Sequence, residues 1–286
     1  MSTDFDLTGQ VALITGATGG FGSRIAHVLA AHGADIVLTG RRRNRLDRLA
    51  QELAVEELCD DSANAVAYVP HDVTDDPGPL FNFVEHTFGR PVSILINNAG
   101  IGHADKAIDC PSLTFRNVIE VDLMAPFFYA QEAARRMRKA GHGGAIVNIA
   151  SIFGQTPGKS MVAYAVAKAG LIQLTKCLAL EWGSSGVRVN ALAPGWCLTE
   201  MTQQYLQSER GASIMHDIPL GRFGEPADLD GAILLLASDA GRYLNGAVLT
   251  IDGGLSVGMR EGTRAASAKP KEPVVAPQEL GISVDY

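Results

Sequence analysis

Short, almost continuously apolar runs alternate along the chain with longer segments in which apolar residues return every three or four positions. The runs are Val11 to Thr15, Asp35 to Leu38, Ala65 to Val69, Ser93 to Ile96, Ala145 to Ile149, Val187 to Leu192 and Val248 to Ile251. Their lengths suit strands buried on both faces. Helical spacing marks residues 25–31, 44–58, 80–88, 112–139 and 164–182, and a last helix falls within PLGRFGEPADLDGAILLLASD. Strand and helix in regular alternation predict an α/β fold on a parallel sheet.

One stretch, Ile149 to Lys176, carries chemistry as well as pattern. Ser151 follows a predicted strand end, which in open α/β sheets rims the ligand crevice. Tyr164 and Lys168 stand four apart in YAVAK, a spacing that puts both on one helix face. A free phenol ionises near pH ~10, and a neighbouring ammonium draws that value towards the neutral range. Tyr164 is therefore a candidate acid and base with Lys168 tuning it, and the Ser151 hydroxyl is placed to hold a substrate oxygen.

The first predicted strand runs into GATGGFG and then a helix. Glycines at such a turn let backbone amides approach a phosphate, and the helix start adds positive partial charge. Gly16, Gly20 and Gly22 fit TGxxxGxG, while Gly16, Gly19 and Gly22 fit TGxxGxxG. The second strand ends in TGRRRNR, with Arg41 and Arg42 where an acidic residue commonly meets a ribose hydroxyl, so NADP(H) is favoured over NAD(H). Arg43 and Arg45 read as the start of a solvated helix. Asp72, in HDVTD, suits an adenine amino group or a cap on the next helix. NNAG, residues 97–100, offers side-chain amides to loop backbone and room for a ligand ring.

Composition narrows the partners. The 286 residues are 47% hydrophobic and 19% charged, enough for one substantial core. A net charge of -7 disfavours nucleic acid and anionic membrane and leaves a small molecule. The opening MSTDFDLTGQ lacks the form of a signal peptide, and no apolar run approaches the ~20 residues of a membrane span. Cys59, Cys110, Cys177 and Cys197 form no CxxC, so no metal site is expected and a cytoplasmic protein is.

TGATGGFG, HDVTD, NNAG, Ser151 with YAVAK, and VNALAPG together resemble the short-chain dehydrogenase/reductase family over roughly residues 7–255, in its compact branch. The resemblance implies a single-domain, Rossmann-like, doubly wound parallel sheet of about seven strands flanked by helices. It implies hydride transfer between NADP(H) and a carbonyl or secondary alcohol, with Ser151, Tyr164 and Lys168 as the catalytic set. Cofactor contacts are expected from Gly16, Thr18, Gly20, Phe21, Gly22, Arg41, Arg42, Asp72, Val73, Asn98, Ala99, Gly100, Tyr164, Lys168, Pro194, Gly195 and Thr199. Residues 201–210 would form a substrate lid, and His103, Phe153, Lys159 and Trp196 would line the pocket, with Lys159 a possible carboxylate anchor.

The main departure is Asp122, in VDLMAPFF, where the family usually carries asparagine as a fourth catalytic residue. Pro126 has no amide proton for the carbonyl four residues back, so a helix kinked there would free the Asp122 carbonyl for a proton relay from Lys168. The helix of Tyr164 is apolar nearly all round, which together with the resemblance implies a homotetramer or homodimer. The segments around Trp196 and Leu255 resemble sugar-acid dehydrogenases, and reductases of 3-oxoacyl thioesters share much of the pattern. A catalytically silent, NAD(P)-gated binding protein is the alternative. Residues 256–286 read as an extended or disordered extension, or one that docks on a neighbouring subunit.

Overall fold

The computed structural model describes residues 3–57 and 64–258. Within them β1 (Val11–Ile14), β2 (Asp35–Gly40), β3 (Val66–Pro70), β4 (Ile94–Asn97), β5 (Gly144–Ile149), β6 (Val187–Pro194) and β7 (Val248–Ile251) form one sheet. Its order is β3-β2-β1-β4-β5-β6-β7, and every pairing is parallel. The sheet grows outward from β1 in one direction and from β4 in the other. The chain therefore changes direction between these two strands, and a crevice opens beyond their carboxyl ends.

Helices α1 (Gly20–Ala30), α2 (Arg43–Glu57), α3 (Gly78–Phe88), α4 (Ser112–Ile119), α5 (Ala125–Ala140), α6 (Val162–Trp182), α7 (Gln203–Leu206), α8 (Glu209–His216) and α9 (Asp230–Ala237) complete the order. Successive strand residues feed opposite cores, as the period of two requires. Ala12 and Ile14 pack with Ile25, Leu29, Ile233 and Leu236 from α1 and α9. Val11 and Leu13 pack with Leu80, Phe81, Tyr129 and Leu178 from α3, α5 and α6. Both faces of β1 are thus dry, which explains its unbroken apolar sequence.

A polar ladder crosses the second core beneath the crevice. Asn97 Nδ2 donates to the Pro126 carbonyl at 3.1 Å and to Asn148 Oδ1 at 2.9 Å. Asn148 Nδ2 donates to Thr175 Oγ1 at 2.9 Å, and Thr175 Oγ1 to the Leu171 carbonyl at 2.8 Å. Each of these side chains is buried and each finds a partner, so β4, β5, α5 and α6 are held in register.

Two expectations change. The single helix expected over 112–139 is α4, a π-helical turn at Glu120–Met124, and α5. In the turn the Ala125 amide bonds the Glu120 carbonyl five residues back, and Pro126 falls in the first turn of α5, where no amide is needed. The expected single helix is therefore interrupted by a widened register just ahead of the proline. The second change concerns α6, which is long and apolar enough to cross a membrane by composition. Its Ala163, Ala167, Leu171, Ile172 and Leu178 are buried in the protein core, where an apolar helix is equally at home. Leu58, Cys59 and residues 259–286 of the expected extension lie outside the described residues.

Candidate active site

The turn between β1 and α1 is built on two steric requirements. Gly16 has φ 60°, and a Cβ there would stand 2.8 Å from Ala99 Cα. A Cβ on Gly22 would stand 2.4 Å from the Gly16 carbonyl oxygen. Of the two glycine spacings, a Cβ on Gly20 would stand 3.1 Å from Thr199 whereas one on Gly19 would meet nothing nearer than 3.5 Å, so TGxxxGxG describes the crowded positions. Thr15 Oγ1 accepts the amides of Asn98 and Ala99, both at 3.0 Å, and Asn98 Nδ2 donates to the carbonyls of Thr15 and Gly16. Gly19 gives α1 no side-chain cap. The first amides of α1 are therefore left for an anion, which is the cradle a dinucleotide phosphate fits. Gly22→Ala is expected to abolish NADPH binding and to cost about 1–3 kcal/mol of stability from overpacking, read by fluorescence titration and thermal melting.

Arg41 and Arg42 follow the end of β2 on the exposed rim of this turn. Arg42 Nη2 donates to Thr18 Oγ1 at 3.1 Å, and Phe21 packs into the α1 core. Partial burial and then the nearby Arg45 charge lower the Arg42 pKa, Glu200 opposes them, and Arg41 adds a smaller push in the same downward direction. Arg45 is not merely solvated: its Nη1 lies 2.7 Å from Glu200 Oε2, on the loop after Thr199. Asp72 Oδ1 accepts from the amide and hydroxyl of Thr74 at 3.0 and 2.9 Å. It closes a turn and caps no helix; at the start of α3 the Gly78 amide donates to Asp76 Oδ1 instead. Val73 and Ala99 line a narrow cleft with Thr15 and Tyr129.

Ser151, Tyr164 and Lys168 converge where β5 ends and α6 begins. Lys168 is buried and its Nζ donates to the Ile149 carbonyl at 3.0 Å. The same nitrogen lies 5.5 Å from the centroid of the Tyr164 ring and 3.1 Å from Asp122 Oδ2. Asp122 is fully buried, and its Oδ1 accepts the Ile101 amide at 2.8 Å. The side chain of Asp122 faces Lys168, whereas the relay expected at this position ran through its carbonyl. Ser151 hydrogen-bonds Tyr164 and accepts the Phe153 amide at 3.2 Å.

The electrostatics also differ from the expectation that Lys168 brings the phenol down. Burial raises the Tyr164 pKa, Lys168 and the Ser151 hydrogen bond oppose it, and Asp122 reinforces it, so the net direction is upward. For Lys168, burial works against the charge, but Asp122 and Tyr164 outweigh it and raise the pKa. Burial likewise raises Asp122 against the pull of Lys168 and the Ile101 amide. The sequence pairs Tyr164 with Lys168 and marks Asp122 as a departure, but gives no sign that the Asp122 carboxylate meets Lys168.

An aromatic wall flanks the set. Phe153 meets Tyr164 and Trp196 edge to face at 6.3 and 5.6 Å between ring centroids, and Trp196 lies 5.5 Å from Tyr205 of α7. His103 Nε2 is 2.5 Å from Asp105 Oδ2, and Asp105 bridges to Met161, three residues before Tyr164. Lys159 is exposed on the same approach to α6. Pro194 ends β6, and a Cβ on Gly195 would stand 2.6 Å from Asp252 Cβ, so this turn is packed against the loop after β7. Thr199 Oγ1 shares a hydrogen bond with Thr202 Oγ1 at 3.0 Å, and α7 and α8 follow over the residues expected to form a lid.

Known proteins resemble this chain in sequence and fold. A family model described as enoyl-(acyl carrier protein) reductase matches residues 16–256. Galactitol 2-dehydrogenase (L-tagatose-forming) of Cereibacter sphaeroides is 40% identical over 258 residues, 89% of this chain and 98% of that protein. A 2-dehydro-3-deoxy-D-gluconate 5-dehydrogenase of Bacillus subtilis is 39% identical over 251 residues, 87% of this chain and 96% of that protein. A short-chain type dehydrogenase/reductase from Mycobacterium marinum superposes with a TM-score of 0.82 at 32% identity, covering 89% of this chain and 98% of that one. The chain is a short-chain dehydrogenase/reductase. A further family structure, a gluconate 5-dehydrogenase from Burkholderia cenocepacia in complex with NADP and tartrate, has a TM-score of 0.83 at 31% identity over 90% of this chain and 98% of that one. As a member of this oxidoreductase family the chain is an enzyme.

Sequence reasoning missed several residues in this short-chain dehydrogenase/reductase. Thr15, which ties two loop amides, read only as the last residue of a strand. Glu200 and Tyr205 lie far from their partners Arg45 and Trp196 in sequence, or in a segment without periodicity, and no local signal marks them.

Proposed function

We propose that this enzyme interconverts a secondary alcohol and a carbonyl on a small polyhydroxylated substrate, a polyol or sugar acid, with NADP(H) as cofactor. The observation that supports it most is the convergence of Ser151, Tyr164 and Lys168 at the crevice rim beside the glycine turn. Ser151 holds the reacting oxygen. Tyr164 gives that oxygen a proton in reduction and takes one from it in oxidation, while Lys168 stabilises the phenolate and bonds the nicotinamide ribose. The nicotinamide, when bound, supplies or takes up the hydride. Pro194, Gly195 and Thr199 would hold its ring, Gly16, Gly20 and Gly22 would admit the phosphates, Asp72, Val73, Asn98 and Ala99 would contribute to the rest of the cofactor site, and Gly100 would leave room beside Lys168. Arg41, Arg42 and Thr18 meet the 2'-phosphate.

The substrate class follows from the walls. Phe153 and Trp196 offer apolar faces to carbon-bound hydrogens, and the His103–Asp105 pair offers a donor and an acceptor to hydroxyls. Relatives named for sugars and sugar acids, at 40 and 39% identity, lie nearer than a 3-oxoacyl-[acyl-carrier-protein] reductase of Rickettsia felis at 33%. Met124 at the end of the π-helical turn, Phe128 on α5, and Val166 and Leu180 on α6 are exposed apolar residues, which supports a homotetramer or homodimer built on these helices. A cytoplasmic location suits the cofactor.

Fluorescence titration with NADPH and NADH, followed by turnover on galactitol, D-gluconate and a 3-oxoacyl thioester, tests this reading. Tighter NADPH binding with turnover on a polyol or sugar acid is expected. Binding without turnover on any of them would replace it with a silent, cofactor-gated binding protein.

A further inference from the structure

The fully buried carboxylate at position 122 stands where the family usually has an amide, and it is placed with care. Oδ1 accepts the Ile101 amide at 2.8 Å, and Oδ2 is ion-paired with the Lys168 ammonium at 3.1 Å. Oδ2 accepts no hydrogen bond among the described residues, so the ion pair is its sole compensation there. A Cβ on Gly100 would stand 3.0 Å from Asp122 Oδ2 and 3.4 Å from Lys168 Nζ, so the loop after β4 lies directly over the pair. The π-helical turn at Glu120–Met124 is what carries this side chain.

Resting on the reading of Tyr164 as acid and base, we propose that Asp122 is a positioning residue that acts through Lys168. Its carboxylate holds the ammonium beneath Tyr164 and cancels part of the ammonium's field at the phenol, so that alcohol oxidation by this enzyme is gated to alkaline pH.

Few other groups face the pair. The end of β5 contributes the Ile149 carbonyl and the Ser151 hydroxyl. The loop after β4 contributes Gly100 and Ile101, with the His103–Asp105 pair further along. From α4 come Val118 and Ile119, which pack with Tyr164 and carry no charge. Toward β6, Leu171 and Ile172 of α6 pack on Ala191, and these too are apolar. Asp122 is therefore the negative charge that opposes Lys168 at Tyr164, and burial and Asp122 act on the phenol in the same direction.

The sign of a substitution follows. Asp122→Asn keeps an oxygen for the Ile101 amide and removes the charge. Lys168 keeps its proton, because the Ile149 carbonyl, the new amide oxygen and the forming phenolate still surround it. Its field then reaches Tyr164 unopposed, and the phenol ionises at lower pH.

Tyrosinate absorbance during alkaline titration of the full chain, with the Tyr164→Phe spectrum subtracted, isolates Tyr164 from the six tyrosines and needs neither substrate nor turnover. In Asp122→Asn the midpoint is expected to fall by about one pH unit or more, and the acid limb of kcat/KM for alcohol oxidation to move down with it. Asp122→Ala should shift the midpoint the same way while melting at lower temperature, since it also strands the Ile101 amide. An unchanged midpoint in the folded Asn variant overturns the proposal. So does a raised one, which would mean that Lys168 had lost its proton, and so does failure of the Asn variant to fold, which would make Asp122 purely structural. A lowered midpoint in a protein inactive on every alcohol would sink the oxidoreductase reading and leave the charge balance standing.

Discussion

Tyr164→Phe is expected to lower turnover in both directions by about 10²–10⁴-fold, the usual contribution of a positioned acid or base. The fold should survive. The lost hydroxyl gives up one hydrogen bond to Ser151, about 1 kcal/mol, or about 2–4 °C in melting temperature for a domain of this size. NADPH titration should still saturate, because the ring remains and the glycine turn is untouched. A variant that kept more than a tenth of wild-type turnover would remove Tyr164 from the chemistry. The pH profile gives a second check. Burial and Asp122 hold the phenol protonated, so reduction, which needs the phenol, should run through neutral pH and fail only on the alkaline side. Oxidation, which needs the phenolate, should rise with pH over the same range.

The double variant Arg41→Ala/Arg42→Ala is expected to weaken NADPH binding about 10–100-fold and leave NADH nearly unchanged. A charge-assisted hydrogen bond contributes about 1.5–3 kcal/mol, and tenfold in affinity is about 1.4 kcal/mol. Both guanidinium groups are exposed, which holds the effect below the sum of two such bonds. Parallel fluorescence titrations with the two cofactors measure it. Equal loss for NADPH and NADH would place the 2'-phosphate elsewhere, with Arg45 the next group to test, because it already holds the Glu200 carboxylate 2.7 Å away.

The repeating elements were readable because burial on both faces leaves a mark on every residue of a strand. β1 is apolar without interruption and β5 is broken only by Asn148, and their boundaries fall within a residue or so of those expected. The catalytic spacing was readable because a helix turns local spacing into a shared face, as Tyr164 and Lys168 show. Gly16 and Gly22 were readable for a third reason: neither tolerates a Cβ, so their identity is dictated by contacts within the turn and with Ala99.

Contacts between distant segments were a different matter. Asp122 stands out in sequence as a departure at the fourth catalytic position, but the expectation drawn from Pro126 pointed at its carbonyl. A π-helical turn, which has no residue signature of its own here, brought the carboxylate to Lys168 instead. Asp72, offered as a helix cap, closed a turn because α3 begins too far downstream, at Gly78.

The sequence by itself determined the strand and helix alternation, the glycine turn and the serine, tyrosine and lysine proposed as the catalytic set, since each depends on burial or on spacing within one element. The tertiary structure decided the sheet order, the Asn97–Asn148–Thr175 ladder, the Arg45–Glu200 pair and the buried charge of Asp122 against Lys168. These depend on which segments meet. An ionisable group takes its protonation state from its neighbours in space, and in this fold the neighbours of Tyr164 come from four separate parts of the chain.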